Sequence, residues 1–276
     1  MHSTDDLIQL ALKEDIGPGD ITTDNLVEPE TCGKGTIVAK QELVVAGLRV
    51  AEKVFITLDP TIDFESPFTD GDRIPVGSTV VRLAGSLSAL LKGERTALNF
   101  LQRLSGIATQ ARDYAGEVAG TSVKLVDTRK TTPGWRVLEK YAVRVGGAYN
   151  HRMGLYDGVL IKDNHIAVSG GIANAVIKAR QAISHLVKIE VETSTIEEVK
   201  EALAAGADII MLDNMDLDQI SRAVRLIDKR ALVEVSGGVT RQRLRDLAQT
   251  GVDLISIGAL THSAVAVDLS MNITAN

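Results

Sequence analysis

Short apolar runs recur through the second half of the chain, at residues 123–126, 158–161, 187–191, 208–212, 231–235 and 253–257, with helical patterns between them. Runs this short and this continuous suit strands buried on both faces of a parallel sheet. Between the third and fourth runs, Ser194 and Glu197 have capping-box spacing, and Gly206 suits the position just past a helix end. Asp216 with Gln219 repeats the N-terminal signature for the next helix. The alternation predicts right-handed βαβ crossovers. It leaves two architectures open: a barrel, or an open doubly wound sheet.

The first hundred residues follow a mixed pattern. Residues 4–13 read as a short amphipathic helix, and residues 15–24 as a loop broken by Gly17, Pro18 and Gly19. Residues 36–46 and 76–84 read as strands, and Asp70-Gly71-Asp72 as a turn. Residues 87–116 form one long helical pattern. Leu98, Leu101 and Leu104 lie on one side of it, and Arg95, Asn99 and Arg103 recur every four residues on another.

The ends of the six runs carry the chemistry. They finish in Asp127-Thr128-Arg129-Lys130, Lys162-Asp163-Asn164-His165, Glu192, Asp213-Asn214, Ser236-Gly237-Gly238 and Gly258-Ala259. In an α/β barrel all six groups face one mouth, where such folds place their active sites. In an open sheet they line one edge, with fewer converging.

Charge sharpens this. The chain of 276 residues has a net charge of −6, yet residues 124–162 hold eight basic residues against three acids, a local balance of +5. A cationic segment in an acidic chain points to a small polyanionic ligand, and the absence of an overall basic field argues against nucleic acid. Arg129, Lys130 and Lys162 sit at strand ends and read as ligand groups. Lys140 and Arg144, four residues apart, read as a solvated helix face. Arg152 follows His151 in a Gly-rich connection, which turns that histidine toward anion recognition. His165 and His262 read as structural. Glu192 and Asp213 end successive strands, and their hard oxygens suit ribose hydroxyls, Mg²⁺ or both; ion pairing with local arginines is the competing reading. The glycines after Ser236, and Gly258, let backbone N–H groups approach a phosphate.

Apolar residues make up 45% and charged residues 24% of the chain, the composition of a folded globular protein. The single cysteine, Cys32, excludes an intrachain disulfide and a thiolate metal cage, and reads as a structural thiol in a reducing compartment. The first six residues are acidic where a signal peptide is basic, and charge interrupts the longest apolar stretches. These features predict a cytoplasmic protein with no membrane partner.

The motifs together resemble one family. DTRKTTPG (127–134), NHRMGLYDGVLIKDNHI (150–166), VEVE ending at Glu192, MLDNM (211–215), VSGG and ISIGALTHS (255–263) are similar to quinolinate phosphoribosyltransferase, as are EDIGPGDITTD and GERTALNFLQRLSGIAT upstream. The resemblance covers nearly the whole chain with the motifs in order; Trp135 departs from it, standing where aliphatic residues are common in the family. It implies an N-terminal α/β sandwich domain over residues 1–106 and an incomplete, TIM-like α/β barrel over 107–276. The second boundary is soft, because the last residues can pack back on the first domain.

It also implies a homodimer, or an assembly of such dimers, and an enzyme that joins quinolinate to phosphoribosyl pyrophosphate with decarboxylation. By motif, Arg95 (from the neighbouring subunit), Arg129, His151, Arg152 and Lys162 resemble the quinolinate-binding residues, and Thr128 is expected among the substrate-binding residues. Lys130 and Lys162 match positions meeting the phosphoribosyl donor. Glu192 and Asp213 match residues that engage the ribose and a magnesium ion, directly or through water. Ser236, Gly237 and Gly238, with Ile257, Gly258 and Ala259, match the 5-phosphate cradle. Lys130, Lys162, Glu192 and Asp213 are the expected catalytic group, Mg²⁺ is the expected cofactor, and no organic cofactor is expected.

Overall fold

A computed structural model describes residues 4–275. The N-terminal reading made above therefore lies partly outside the described residues. Twelve strands run in chain order: β1 (Cys32–Ala39), β2 (Leu43–Val44), β3 (Asp63–Glu65), β4 (Arg73–Ile74), β5 (Thr79–Ser86), β6 (Lys124–Val126), β7 (Val159–Ile161), β8 (Ile189–Thr193), β9 (Ile209–Asp213), β10 (Leu232–Ser236), β11 (Leu254–Ser256) and β12 (Leu269–Ala275). The chain divides into two compact units. Of the described residues, one comprises 4–112, 131–147 and 260–275, and the other 113–130 and 148–259. The division thus falls inside the helix Leu87–Glu117. Residues 131–147 cluster by their contacts with the first unit.

The first unit is built on an antiparallel sheet in the order β12-β1-β5-β3, with β2 and β4 paired separately. The C-terminal strand lies directly on β1, from Gly33 opposite Ala275 to Ala39 opposite Leu269. Helix Leu48–Leu58 buries Val50, Ala51, Val54 and Phe55 on one side, the spacing expected of an amphipathic helix. Gly47 precedes it at φ 98°, where a Cβ would come within 2.7 Å of Leu104, so a side chain here meets both strain and a clash. The Asp70 carboxylate accepts hydrogen bonds from the Gly47 and Leu48 amides (2.9 and 3.1 Å), satisfying two donors that the helix start leaves open. The turn residue of the sequence is therefore a capping residue for a distant helix.

The helix Arg136–Val145 also belongs to this unit. Lys140 on it is completely buried while Arg144 is exposed, which corrects the expectation that both lie on a solvated face. Two basic residues four apart can still differ in burial, because the buried stripe of this helix ends before Arg144. Glu139 is equally buried and takes two hydrogen bonds from the Arg103 guanidinium (2.8 and 3.1 Å) and others from Thr132. Arg103 also donates to the carbonyls of Thr261 and Ala264. Trp135 stacks on Phe100 with ring centroids 4.6 Å apart, giving the unusual residue a packing role.

The second unit contains a six-stranded parallel sheet in the order β6-β11-β10-β9-β8-β7. This order decides between the two architectures. Each strand from β7 to β11 lies beside its successor, and β6 sits beyond β11 rather than beside β7. Such a cyclic order, broken between β6 and β7, is that of a barrel lacking closing strands; a doubly wound sheet reverses direction at its first strand. The interruption is where the irregular segment 148–158 runs, with Tyr149 bridging to Val126. The helices Ile196–Ala204 and Leu217–Ile227 each start with a reciprocal capping box. The first uses Thr195 and Glu198, one residue later than expected, with Thr195 in the extended conformation a cap requires and its side chain accepting from the Glu198 amide. Gly206 takes φ 81° after the helix, as expected of a terminator.

Candidate active site

Every residue of the candidate site, Arg95 excepted, belongs to the second unit. A cavity of about 540 Å³ opens at the C-terminal ends of its parallel strands. Thr128, Arg129 and Lys130 reach it from the end of β6, and the Lys130 amide donates to Thr128 Oγ1 at 3.0 Å, folding that turn back on itself. His151 and Arg152 enter from the segment that interrupts the barrel, and Lys162 from the end of β7. Lys162 is also the N-cap of helix Asp163–Ser169, where its amide donates to His165 Nδ1 at 3.0 Å, so His165 fixes the local backbone.

Glu192 on β8 and Asp213 on β9 line the same cavity, the two acids of the sequence reading brought together on adjacent strands. Lys162 Nζ forms an ion pair with Glu192 Oε2. Asn214 Nδ2 donates to Asp213 Oδ2 at 2.7 Å. Each carboxylate is thereby oriented by a polar neighbour, as a ligand group must be to bind at low entropic cost.

Ser236, Gly237 and Gly238 complete the wall after β10. Gly237 has φ 83°, and a Cβ on it would fall 2.2 Å from Asn214 Oδ1 and 2.9 Å from the Asn214 amide. Glycine is required there by both conformation and space. Gly238 has φ 56° and nothing within 4 Å of an added Cβ, so this backbone faces open volume. Ile257, Gly258 and Ala259, expected in the same cradle, are not among the residues lining the cavity; Ile257 is buried, its amide bonded to the Val126 carbonyl at 2.9 Å. Arg95 is exposed on the long helix in the first unit.

The sequence reading missed five lining residues: Leu160, Met211, Asn214, Glu234 and Ser256. Glu234 matters most. It sits inside β10, fully buried, within a run read as apolar. A signal was present. Glu190 and Glu192 are two apart on β8, and Glu234 and Ser236 two apart on β10, so each pair shares the inward face. Burial and the nearby Glu190 charge push the Glu234 carboxyl up to about 7. Burial, followed by the Arg129 charge, pulls the Arg152 guanidinium below its usual value, against the opposing Glu190 and Asp157.

The arrangement gathers four cations, Arg129, Lys130, Arg152 and Lys162, around one cavity with Glu192 and Asp213 beside them. Such a site can neutralise a polyanion bearing several phosphate or carboxylate groups while two hard acids face a sugar or a divalent cation.

Comparison with known proteins places this geometry in context. Residues 20–105 match the quinolinate phosphoribosyl transferase N-terminal domain, and residues 107–272 match the C-terminal domain of the same family. The chain is 48% identical over 261 residues to the probable nicotinate-nucleotide pyrophosphorylase [carboxylating] of Bacillus subtilis, covering 95% of this chain and 90% of the relative. It is 47% identical over 275 residues to the protein of that name from Synechocystis, covering 99% and 93%. Among solved structures, that of NadC from Streptococcus pyogenes superposes with a TM-score of 0.95 at 43% identity, covering 99% of this chain and 96% of the other.

Proposed function

The chain belongs to the quinolinate phosphoribosyltransferase family, and from that membership we propose that it transfers the phosphoribosyl group of phosphoribosyl pyrophosphate to quinolinate with loss of one carboxylate. The products are nicotinate mononucleotide, pyrophosphate and CO2, a step of NAD biosynthesis. The observation that carries the assignment is the convergence of Arg129, Lys130, Arg152 and Lys162 with Glu192 and Asp213 at one strand-end mouth.

The reaction balances with those groups alone doing the positioning. The quinolinate ring nitrogen forms a bond to the ribose anomeric carbon as the bond to pyrophosphate breaks, the leaving group carrying away the electron pair. Charge in the transition state spreads over the sugar, where fixed dipoles and carboxylates stabilise it without reorganising. The ring nitrogen is then cationic. Breaking the bond to the 2-carboxylate releases CO2 and leaves its electron pair on the adjacent carbon, stabilised by that cation, and a proton completes the product. No covalent enzyme intermediate is required; the protein orients two polyanions and offsets their charge.

Arg129, Arg152, His151 and Lys162 serve the dicarboxylate side in this reading. Thr128 and Lys130 face the donor, and Lys130 assists pyrophosphate departure. Ser236, Gly237 and Gly238 receive the 5-phosphate on backbone N–H groups, supported by the open volume beside Gly238. Glu192 and Asp213 engage the ribose hydroxyls. Those two carboxylates on adjacent strands also fit Mg²⁺, which is commonly held by one or two acids together with substrate phosphates, and the ion when bound would neutralise the departing pyrophosphate. Arg95, exposed and on the first unit, serves the neighbouring subunit of a homodimer in this reading, and the single cysteine suits a cytoplasmic setting.

The test is product analysis by mass spectrometry with purified protein, phosphoribosyl pyrophosphate and Mg²⁺, offering quinolinate and nicotinate in parallel. Nicotinate mononucleotide from quinolinate alone is the expected result. Product from nicotinate alone overturns the acceptor while keeping the donor site.

A further inference from the structure

Arg152, one of the cations on the side of the pocket assigned to quinolinate, rests with His151 on a segment without regular secondary structure, so something must hold it. Part of the answer is the Asp127 carboxylate, buried at the end of β6, which accepts from the His151 amide at 2.9 Å and from Asn150 Nδ2 at 2.6 Å. The remainder lies inside the barrel. His151 Nε2 is 3.0 Å from Glu190 Oε2 and 3.7 Å from Glu234 Oε1. Both acids are in strand interiors and almost wholly buried, at 4% and 0% exposure. Buried acids at this depth are costly unless a partner is supplied.

The other ring nitrogen is also used. His151 Nδ1 accepts the Arg152 amide at 2.8 Å, and the Arg152 guanidinium donates to the Gly158 carbonyl at 3.0 Å. A ring whose Nδ1 accepts carries its proton on Nε2, the nitrogen facing the acids. A second cavity of about 430 Å³ reaches the same cluster and shares His151, Arg152 and Glu234 with the first. The imidazole therefore stands between two open volumes, where packing alone does not fix it.

We propose that Glu190 and Glu234 are positioning residues for acceptor binding: Glu190 takes the hydrogen bond from His151 Nε2–H inside the barrel, with Glu234 flanking it, and through the ring's Nδ1 they fix the Arg152 peptide that presents its guanidinium to the pocket. The inference rests on the reading that this pocket takes quinolinate. It gives the two acids beneath an anion site a purpose other than pairing with the ligand-side cations, since they hold the ring and leave Arg129, Arg152 and Lys162 to the anion. The upward displacement of Glu234 to about 7 agrees with this, because a pair that keeps one proton spares the site a second buried negative charge.

The experiment uses the full chain with Glu190→Gln, Glu234→Gln and the double variant. Long-range imidazole ¹⁵N–¹H spectra, recorded without substrates, report the tautomer of His151 among the five histidines, its signal assigned by its loss in His151→Asn. KM is measured for both substrates. In the parent protein a single Nε2–H form is expected. Glu190→Gln should shift that pattern and raise KM for quinolinate about 10-fold or more, with KM for phosphoribosyl pyrophosphate held within about twofold, as expected for a lost charge-assisted hydrogen bond. Unchanged His151 spectra in all variants, or the two KM values rising together, overturn the proposal. Should Glu190→Gln fail to fold, the Glu234→Gln spectrum decides by the same criterion. A parent protein that makes no product from quinolinate defeats the functional reading, while the spectra still test whether the acids hold the ring.

Discussion

Lys130 and Glu234 show how differently two charged residues at one cavity behave. Lys130 is exposed at a strand end, where a point charge can follow the departing pyrophosphate. Replacing it with methionine should lower kcat about 10²- to 10³-fold, the usual cost of removing one transition-state charge partner, measured by steady-state turnover at saturating substrates. Glu234 also acts on stability. Its folded-state value is raised from 4.5 to about 7, so the folded protein holds a proton that the unfolded chain releases. Its contribution is fully present below about pH 4.5 and is lost as pH rises through about 7. Thermal melts from pH 5 to 8 should therefore show a smaller decline for Glu234→Gln than for the parent; an identical slope would refute the raised value. The same residue marks what the sequence concealed. A glutamate flanked by valines reads as part of an apolar run, and only the strand's alternation shows it pointing inward. Lys130 was legible because it follows a run instead of interrupting one.

Among the elements, the parallel strands were legible because burial on both faces leaves little choice of residue, and their ends were legible because polar groups there break the run. Strand order was not. That β6 pairs with β11 follows from contacts far apart in sequence, which no local period encodes. The turn after β10 shows the same limit. Its glycines suggest phosphate or a tight turn equally, whereas the structure adds the approach of Asn214 to Gly237. Gly237→Ala should distort that turn, raising KM for phosphoribosyl pyrophosphate about 10-fold while leaving quinolinate binding by calorimetry near the parent value. Loss of both in equal measure would place the strain outside the donor site. The shift of the capping box from Ser194 to Thr195 is a milder case: two hydroxyl residues in succession offer two registers, and the backbone selects one.

For the whole molecule, charge separates the body from the site. The chain carries −6 overall, and its cavity presents Arg129, Lys130, Arg152 and Lys162. Added salt screens the local attraction for a polyanion, so KM for phosphoribosyl pyrophosphate should rise steadily between low and physiological ionic strength. The proposed homodimer predicts complementation. Mixing Arg95→Ala with Lys130→Ala subunits after dissociation should regenerate one intact site in each mixed dimer and recover about a quarter of parental activity. Mixed samples no more active than their components would place Arg95 outside the neighbour's site. The family was legible from motif order across the chain; the contacts that gather residues 131–147 with the first unit were not, since they join segments far apart in sequence. The central claim is tested most directly by CO2 release from quinolinate labelled in its 2-carboxylate. One label should appear as CO2 per nicotinate mononucleotide formed, and only with phosphoribosyl pyrophosphate present; label retained in the nucleotide, or released without the donor, would contradict it.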